Sequence, residues 1–172
     1  MTIGHSTRSL EELVELLDLN AVKLLVDLRT APGSRRMPHF ARSALEVSLP
    51  ERGIDYRHVP ELGGLRKPRP DSVNTGLRND SFRGYADYMQ EDAFRQALTR
   101  LEGVALQSRT AIMCAEAVPW GCHRSLISDA LFADGVEVEH ITGRGRTSPH
   151  RLTSFALVSG NRITYPADTL PL

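Results

Sequence analysis

The sequence has few cysteines, no excess of charge and no long apolar run. Only two cysteines occur in 172 residues, which excludes the disulfide-dense scaffolds of small secreted domains. The 21 basic and 21 acidic residues balance, so there is no overall field to attract nucleic acid. No segment approaches the length of a membrane span, and residues 1–5 lack the basic start and apolar run of a signal peptide. We therefore expect a cytoplasmic protein without a membrane partner.

Lysine is also scarce, since 19 of the basic residues are arginine and only 2 are lysine. Genome composition could cause this bias, or the arginines could serve as forked donors for phosphate or carboxylate. Positive charge is concentrated in residues 29–83, which contain 11 basic and 6 acidic residues. That segment is either a solvated loop region or a basic cover over an anionic ligand.

The order of apolar segments predicts the fold class. Five short segments have the composition of strands, two of them near-continuous apolar runs that are typical of strands covered on both faces. Helical patterns lie between them, and alternating runs around residues 159–161 indicate a hairpin. The predicted fold is a three-layer α/β sandwich over residues 1–172 as one domain, with helices on both faces of a mostly parallel central sheet of about five strands and a C-terminal β-hairpin. The strand-like segments are residues 2–5, 23–28, 54–59, 110–114 and 136–141.

Residues typical of helix starts and helix ends support this assignment. Ser9 is a plausible N-cap for the first helix, with Glu11 and Glu12 in the first turn complementing the helix dipole. A second helix is predicted over residues 43–52, because Gly53 stands at the position where helices commonly end. Further helices are predicted at residues 82–89, 92–101 and 122–132.

The segment at residues 109–131 combines a buried strand, a loop and a helix. Residues 110–114 are short and apolar, and residues 122–132 have apolar positions at helical spacing. Reactive side chains lie in the loop and at its two ends: Cys114, Glu116, Cys122, His123 and Arg124. A thiol at the first turn of a helix has a lowered pKa, which makes Cys122 the stronger candidate for a thiolate. Alternatively, Cys114 is a small core residue and Arg124 a surface cap.

Polar side chains also follow two other predicted strands. His5 and Ser6 end the first strand, and Asp27 and Arg29 end the second. If these strands and the strand ending at Cys114 are parallel neighbours, all three junctions meet at the carboxyl edge of the sheet. That edge is where α/β folds bind ligands.

This edge of the sheet is a candidate anion site. Its arginines offer forked donors, and Asp27 and Glu116 would balance their charge. The alternatives are that His5 is a turn histidine bonded to backbone and that Asp27 forms an ion pair with a nearby arginine. The candidate substrate-binding residues are His5, Ser6, Asp27, Arg29, Ser34, Arg35 and Arg124.

Several motifs together resemble one bacterial and archaeal family. They are Thr2-Ile-Gly-His-Ser-Thr, Val26-Asp-Leu-Arg29 with Ser34-Arg35, Leu62-Gly-Gly64, Phe82-Arg-Gly-Tyr85-Ala-Asp-Tyr-Met89, and Cys114-Ala-Glu116 with Cys122-His-Arg124. Over residues 2 to about 165 the chain is similar to the domain of unknown function 488 family. The resemblance implies an α/β sandwich and a shared pocket of His5, Ser6, Asp27, Arg29, Ser34, Arg35, Cys114, Glu116, Cys122, His123 and Arg124.

The first of two functional hypotheses is an enzyme. Its substrate would be a small anionic molecule that bears a phosphate, for example a nucleotide. Cys114 or Cys122 would be the nucleophile or redox group, and His123 or Glu116 would transfer protons. A metal site would use the same four side chains as ligands, but their spacing is unfamiliar, so we assign no metal ligand. The sequence identifies no cofactor.

The second hypothesis is a non-catalytic module that binds a nucleotide or a nucleic-acid end. Arginines of residues 29–83 would bind phosphates, and Trp120 and Tyr85 would stack on a base. Both cysteines would then be structural. The zero net charge does not indicate nucleic acid as a partner, although it is compatible with a small phosphate ligand.

Overall fold

The computed structural model describes residues 1–33 and 35–167, and its centre is a six-stranded sheet. The strands in chain order are β1 (Thr2–Gly4), β2 (Leu24–Asp27), β3 (Asp55–His58), β4 (Thr110–Cys114), β5 (Glu139–Gly143) and β6 (Arg146–Pro149). They are arranged β3-β2-β4-β1-β5-β6, and only the β5–β6 pair is antiparallel. A separate hairpin consists of β7 (Leu157–Ser159) and β8 (Arg162–Thr164). The predicted mostly parallel sheet and C-terminal hairpin are confirmed.

Helices cover both faces of the sheet. They are α1 (Leu10–Leu19), α2 (Arg42–Ser48), α3 (Asp80–Tyr88), α4 (Asp92–Gln107) and α5 (Arg124–Ala133). Successive residues of a strand point to opposite faces. Leu25 therefore packs in the apolar cluster that includes α1 and α2, and Val26 in the cluster that includes α3, α4 and α5. Among the residues described, no helix has the length and apolar character needed to cross a bilayer.

The sheet register brings three strand ends together. Gly4 of β1 pairs with Cys114 of β4, and Asp27 of β2 pairs with Met113. The backbone pairing continues beyond β1, since the amide of His5 donates to the carbonyl of Cys114 at 3.0 Å. The carboxyl ends of β1, β2 and β4 therefore lie side by side at one edge of the sheet, as the sequence predicted.

The N-terminus of α1 has the predicted cap. The side chain of Ser9 accepts a hydrogen bond from the Glu12 amide at 3.1 Å, and the carboxylate of Glu12 accepts one from the Ser9 amide at 2.7 Å. This reciprocal capping box satisfies two amides that the helix itself cannot pair. It orients the chain between β1 and α1, which includes His5 and Ser6.

Several helix boundaries differ from the prediction. α3 begins two residues earlier than predicted, at Asp80, and α4 continues six residues further, to Gln107. The helix predicted at 43–52 is α2 followed by a 3-10 turn at Pro50–Arg52, because Pro50 lacks the amide that would continue α2. Gly53, at a φ of 73°, ends that 3-10 turn. The helix predicted to begin at Cys122 begins at Arg124, since Cys122 is extended with φ −142° and ψ 149°.

The fifth strand is shifted from residues 136–141 to β5, and a sixth strand follows it. The amide of Val136 donates to the carbonyl of Leu131 at 2.9 Å, which keeps Val136 in the turn after α5. Pairing with β1 is recorded only at His140, opposite Thr2. β6 is largely exposed and polar, so it has no apolar pattern that could be recognised in the sequence.

A buried carboxylate of α3 fixes residues 63–79, the irregular part of the segment at residues 60–83. Asp87, which is 4% exposed, accepts from the Arg69 amide at 2.8 Å, the Ser72 hydroxyl at 2.6 Å and the Asn74 amide group at 2.7 Å. The side-chain carbonyl of Asn74 accepts from the Tyr165 amide at 2.9 Å. The segment is thus tied to α3 and to the end of the hairpin, and it is not a freely solvated loop.

Candidate functional site

A cleft of about 410 Å³ lies at the carboxyl ends of β2 and β4. All four candidate catalytic residues line it, whereas Arg29 is the one candidate substrate-binding residue that does so in the described part of the chain. The lining consists of Arg29, Thr30, Ala31, Gly64, Leu65, Ser81, Phe82, Cys114, Ala115, Glu116, Gly121, Cys122 and His123.

The two cysteines form a close pair in the wall of this cleft, here called the thiol pair. Cys114 ends β4, and Cys122 follows the 3-10 turn at Pro119–Gly121 and precedes α5 by two residues. Both side chains are buried and free, and their sulfur atoms are 2.6 Å apart. The eight-residue separation in sequence therefore becomes direct contact.

The two thiols of the pair have pKa values shifted in opposite directions. The hydrogen bond from the Cys114 thiol lowers the pKa of Cys122 below its ordinary value of 9.0, and contacts with His123 Nδ1 and the Arg124 amide, each at 3.5 Å, act in the same direction. The same hydrogen bond, together with burial, raises the pKa of Cys114. The pKa of Cys122 is therefore lowered relative to that of Cys114, and the largest cause is the contact with Cys114 and not the helix terminus.

Arg124 does not face the cleft. Its side chain is 1% exposed, and its Nη2 donates to the backbone carbonyl of Glu116 at 3.0 Å. Its Nε and Nη1 are buried without a partner among the residues described. The interpretation of Arg124 as an exposed cap and the interpretation as a residue facing the ligand are both wrong, because the first turn of α5 points this side chain into the protein.

Asp27 and Arg29 form a buried ion pair at the end of β2. Arg29 Nη2 lies 2.6 Å from Asp27 Oδ2, and the hydroxyl of Tyr56 donates to the same oxygen at 2.7 Å. Arg29 Nη1 also lies 3.3 Å from Nε2 of His5, whose Nδ1 lies 2.9 Å from the Ser6 carbonyl. The ion-pair alternative for Asp27 is therefore realised, and Arg29 alone of this group extends to the cleft.

The burial of His5 leads to a pH dependence of stability. Burial lowers the pKa of His5 from 6.5 to about 4, so the unfolded chain binds a proton there before the folded protein does. The free energy of unfolding should decrease as the pH falls through that interval, as measured by urea unfolding. His5→Phe, which keeps a ring against Phe40, should show a shallower decrease, with a remainder from His140, whose pKa burial also lowers. Equal decreases in the two proteins would contradict this role of His5.

The other candidate residues occupy different positions. Glu116 is exposed at the rim of the cleft, and its backbone carbonyl makes the buried contact. Ser6, two residues after β1, is half-buried with a φ of 51°, and its amide donates to the Ala115 carbonyl at 2.9 Å. Arg35 is exposed and lies outside the cleft lining. Ser34 lies outside the described residues.

Gly64, Leu65 and Phe82 line the cleft and were not among the predicted site residues, although residues 29–83 were considered as a basic cover over the site. The hydroxyl of Thr30 donates to the carbonyl of Gly64 at 3.1 Å, which joins the 60–83 segment to the end of β2. A Cβ at position 64 would lie 2.9 Å from His123 Nδ1, so only glycine leaves room for that ring. The tandem glycines at 63 and 64 were the available signal. The segment contributes Leu65 and Phe82 to the cleft. This part of the lining is therefore apolar, whereas the sequence had suggested a basic cover.

The fold and the cleft define a class of protein: an α/β domain with a mostly parallel sheet and two cysteines in a cleft at the carboxyl edge of that sheet. No group of three or more His, Cys, Asp or Glu side chains that could hold a metal ion occurs within residues 1–33 and 35–167. The chain belongs to the family described as domain of unknown function DUF488, whose sequence model matches residues 9–131. The matched span includes Asp27, Arg29 and the thiol pair, but not β1. Comparison with curated proteins and with solved structures gives no match.

Proposed function

We propose that this protein is an enzyme in which the Cys122 thiolate is the nucleophile for a small anionic substrate. The observation that carries this proposal is the position of Cys122 in the wall of the cleft, with its sulfur 2.6 Å from that of Cys114, a contact that lowers the pKa of Cys122. A thiolate is the reactive form of cysteine, and holding one at neutral pH is typical of catalytic sites. His123, in contact with Cys122, and Glu116, at the rim, are the proposed proton-transfer groups.

The lining of the cleft supports a small substrate with one anionic group. About 410 Å³ is enough for a metabolite-sized ligand. Leu65 and Phe82 offer apolar contact, and Arg29 is the lining residue with a positive charge. Because Asp27 already pairs with Arg29, we expect a modest contribution from this arginine, with a phosphate or carboxylate sharing its donors. The two free thiols agree with the proposed cytoplasmic location.

The binding-module hypothesis receives less support. Tyr85 is fully buried and its hydroxyl donates to the Leu62 carbonyl at 2.9 Å, so it is not available to stack on a base. Trp120 is 72% exposed, but it borders a separate depression with His140 and His150. Base stacking and the cysteine-containing cleft are therefore at different places.

The proposed nucleophile can be tested by alkylation. The rate constant for iodoacetamide in wild-type protein should stay nearly flat as the pH falls from 8 towards 6, because Cys122 remains a thiolate. An ordinary thiol slows roughly tenfold per pH unit below its pKa. Cys122→Ser should lose this pH-independent reaction, and Cys114→Ala, which removes the donor to Cys122, should restore a steep pH dependence. Retention of the flat profile in Cys122→Ser would refute the assignment.

A further inference from the structure

We propose that the thiol pair is a two-cysteine exchange centre whose substrate is a small disulfide carrying an anionic group. The inference rests on the proposed function of Cys122 as nucleophile and specifies its reaction. Cys122 attacks the substrate, and Cys114 resolves the resulting mixed disulfide.

The geometry of the thiol pair favours an internal disulfide as the product. The sulfur atoms are 2.6 Å apart, and a disulfide bond is about 2.05 Å long. Cys114 is fixed at the end of a strand paired on both sides, with β1 and β2. Cys122 lies in the connection to α5, where residues 115–118 and 120–121 are exposed. A shift of roughly half an ångström in that connection, with no rearrangement of the sheet, would bring the sulfur atoms to bonding distance.

The charges assign an order to the two steps. Cys122 attacks first in this proposal, because its sulfur lies 3.5 Å from His123 Nδ1 in the wall of the cleft and the contact between the two sulfur atoms lowers the pKa of Cys122 and raises that of Cys114. Once Cys122 is bonded to a substrate sulfur, it no longer accepts the hydrogen bond that chiefly keeps Cys114 protonated. The nearby Arg124 guanidinium lowers the pKa of Cys114. The buried arginine therefore becomes the counter-charge for the Cys114 thiolate in the second step. This role would account for its Nε and Nη1 groups, which have no partner among the residues described.

The reaction balances as a two-electron exchange. The Cys122 thiolate attacks one sulfur of RSSR, a Cys122–S–S–R bond forms, the substrate S–S bond breaks and RS⁻ leaves. Cys114 then gives up its proton and attacks Cys122 Sγ, which releases the second RS group. The proton lost by Cys114 converts one of the two released thiolates to RSH. The thiol pair is oxidised to a disulfide and the substrate is reduced, and an external thiol must reduce the protein for another turnover.

The position of Cys122 limits the substrate to a small disulfide. Its side chain is 5% exposed and is reached through the cleft, so a disulfide held within a folded protein could not approach. Arg29 in the same lining favours a substrate with a carboxylate over one with an ammonium group. Glutathione disulfide and cystamine form a suitable pair of probes, since the first carries carboxylates and the second carries amines alone.

Intact mass spectrometry of the reduced protein with each probe tests the proposal. Wild type with glutathione disulfide should lose two hydrogen atoms in mass and release two equivalents of glutathione. Cys114→Ser should stop at one bound glutathione, Cys122→Ser should not react, and cystamine should react more slowly with wild type. Two results would overturn the exchange centre: wild type that stops at the adduct, and wild type that reacts with neither disulfide. If Cys122 is still alkylated with a flat pH profile, the proposed nucleophile is unaffected by either result. Loss of that alkylation profile would refute the nucleophile itself.

Arg124→Met separates the proposed positioning role of Arg124 from a purely structural one. The substitution keeps an unbranched side chain of similar length and removes the charge. We expect the adduct to form at nearly the wild-type rate and to resolve at least about tenfold more slowly, which corresponds to one unit in the pKa of Cys114. Equal slowing of both steps, or no change in either, would overturn the role assigned to Arg124.

Discussion

Replacing Asp129 with alanine should reduce the free energy of unfolding by about 3–5 kcal/mol, the usual loss when one member of a buried pair is removed. Asp129 is fully buried in α5 and accepts four hydrogen bonds. They come from His150 Nε2 at 2.9 Å, the Thr153 amide and hydroxyl at 3.0 and 2.7 Å, and the Tyr165 hydroxyl at 2.9 Å. The substitution would leave these buried donors unpaired, and each unpaired donor is unfavourable. Urea unfolding monitored by circular dichroism measures the change.

Asp71→Ala is the matched control for this substitution. Asp71 pairs with Arg69 at 3.0 Å, but both side chains are more than half exposed. Water replaces such a pair readily, so the control should unfold with the wild-type midpoint. A similar loss in both variants would show that the network around Asp129 does not hold the C-terminal segment to α5. A loss of stability in Asp129→Ala alone would show that this network holds residues 150–165 against α5.

The parts of the fold that could be predicted are those in which local pattern and tertiary packing agree. β2 and β4 are near-continuous apolar runs, and each is buried along its whole length between helical layers. Ser9 and Glu12 form a cap within four residues of sequence, so their contact is a local property. The parallel alignment of β1, β2 and β4 then follows from the alternation of strands and helices.

The parts that could not be predicted depend on contacts distant in sequence. β6 has a polar, exposed sequence and exists because it pairs with β5. The residues of the 60–83 segment reach the cleft because Asp87 and Tyr165 bind its backbone and side chains. No periodicity in the segment itself indicates these partners.

The candidate site also has features that local sequence indicates and features that depend on contacts distant in sequence. Its position at the sheet edge followed from strand order, whereas the preference for Cys122 as the more acidic thiol was based on its place near the start of a helix and stays a prediction. The contact between the two sulfur atoms depends on the path of the connection between β4 and α5, and the burial of Arg124 depends on how the first turn of α5 faces the sheet. Sequence spacing gives the face of a helix but not the depth at which its first turn meets the sheet.

Gly4→Ala should destabilise the protein by roughly 3 kcal/mol, near the upper end of the range for overpacked core positions, and should also disturb the thiol pair. A Cβ at position 4 would lie 1.8 Å from the backbone oxygen of Glu116. That oxygen accepts from Arg124 Nη2 at 3.0 Å, so the connection after β4 would have to move together with the buried arginine. We expect a lower unfolding midpoint in urea and, in the folded variant, a steeper pH dependence of Cys122 alkylation.

Gly103→Ala is the same chemical change with the opposite expected sign. Gly103 lies inside α4, is exposed, and has open space where a Cβ would be placed. Alanine in a helix interior is more stable than glycine by about 0.5–1 kcal/mol, so this variant should unfold at a higher urea concentration with an unchanged alkylation profile. If Gly4→Ala instead behaved like Gly103→Ala, the backbone of Glu116 could not lie against β1, and the arrangement of Arg124 beside the thiol pair would be wrong. A lower urea midpoint with a steeper alkylation profile in Gly4→Ala, and a higher midpoint with an unchanged profile in Gly103→Ala, would show that the connection after β4 controls the reactivity of Cys122.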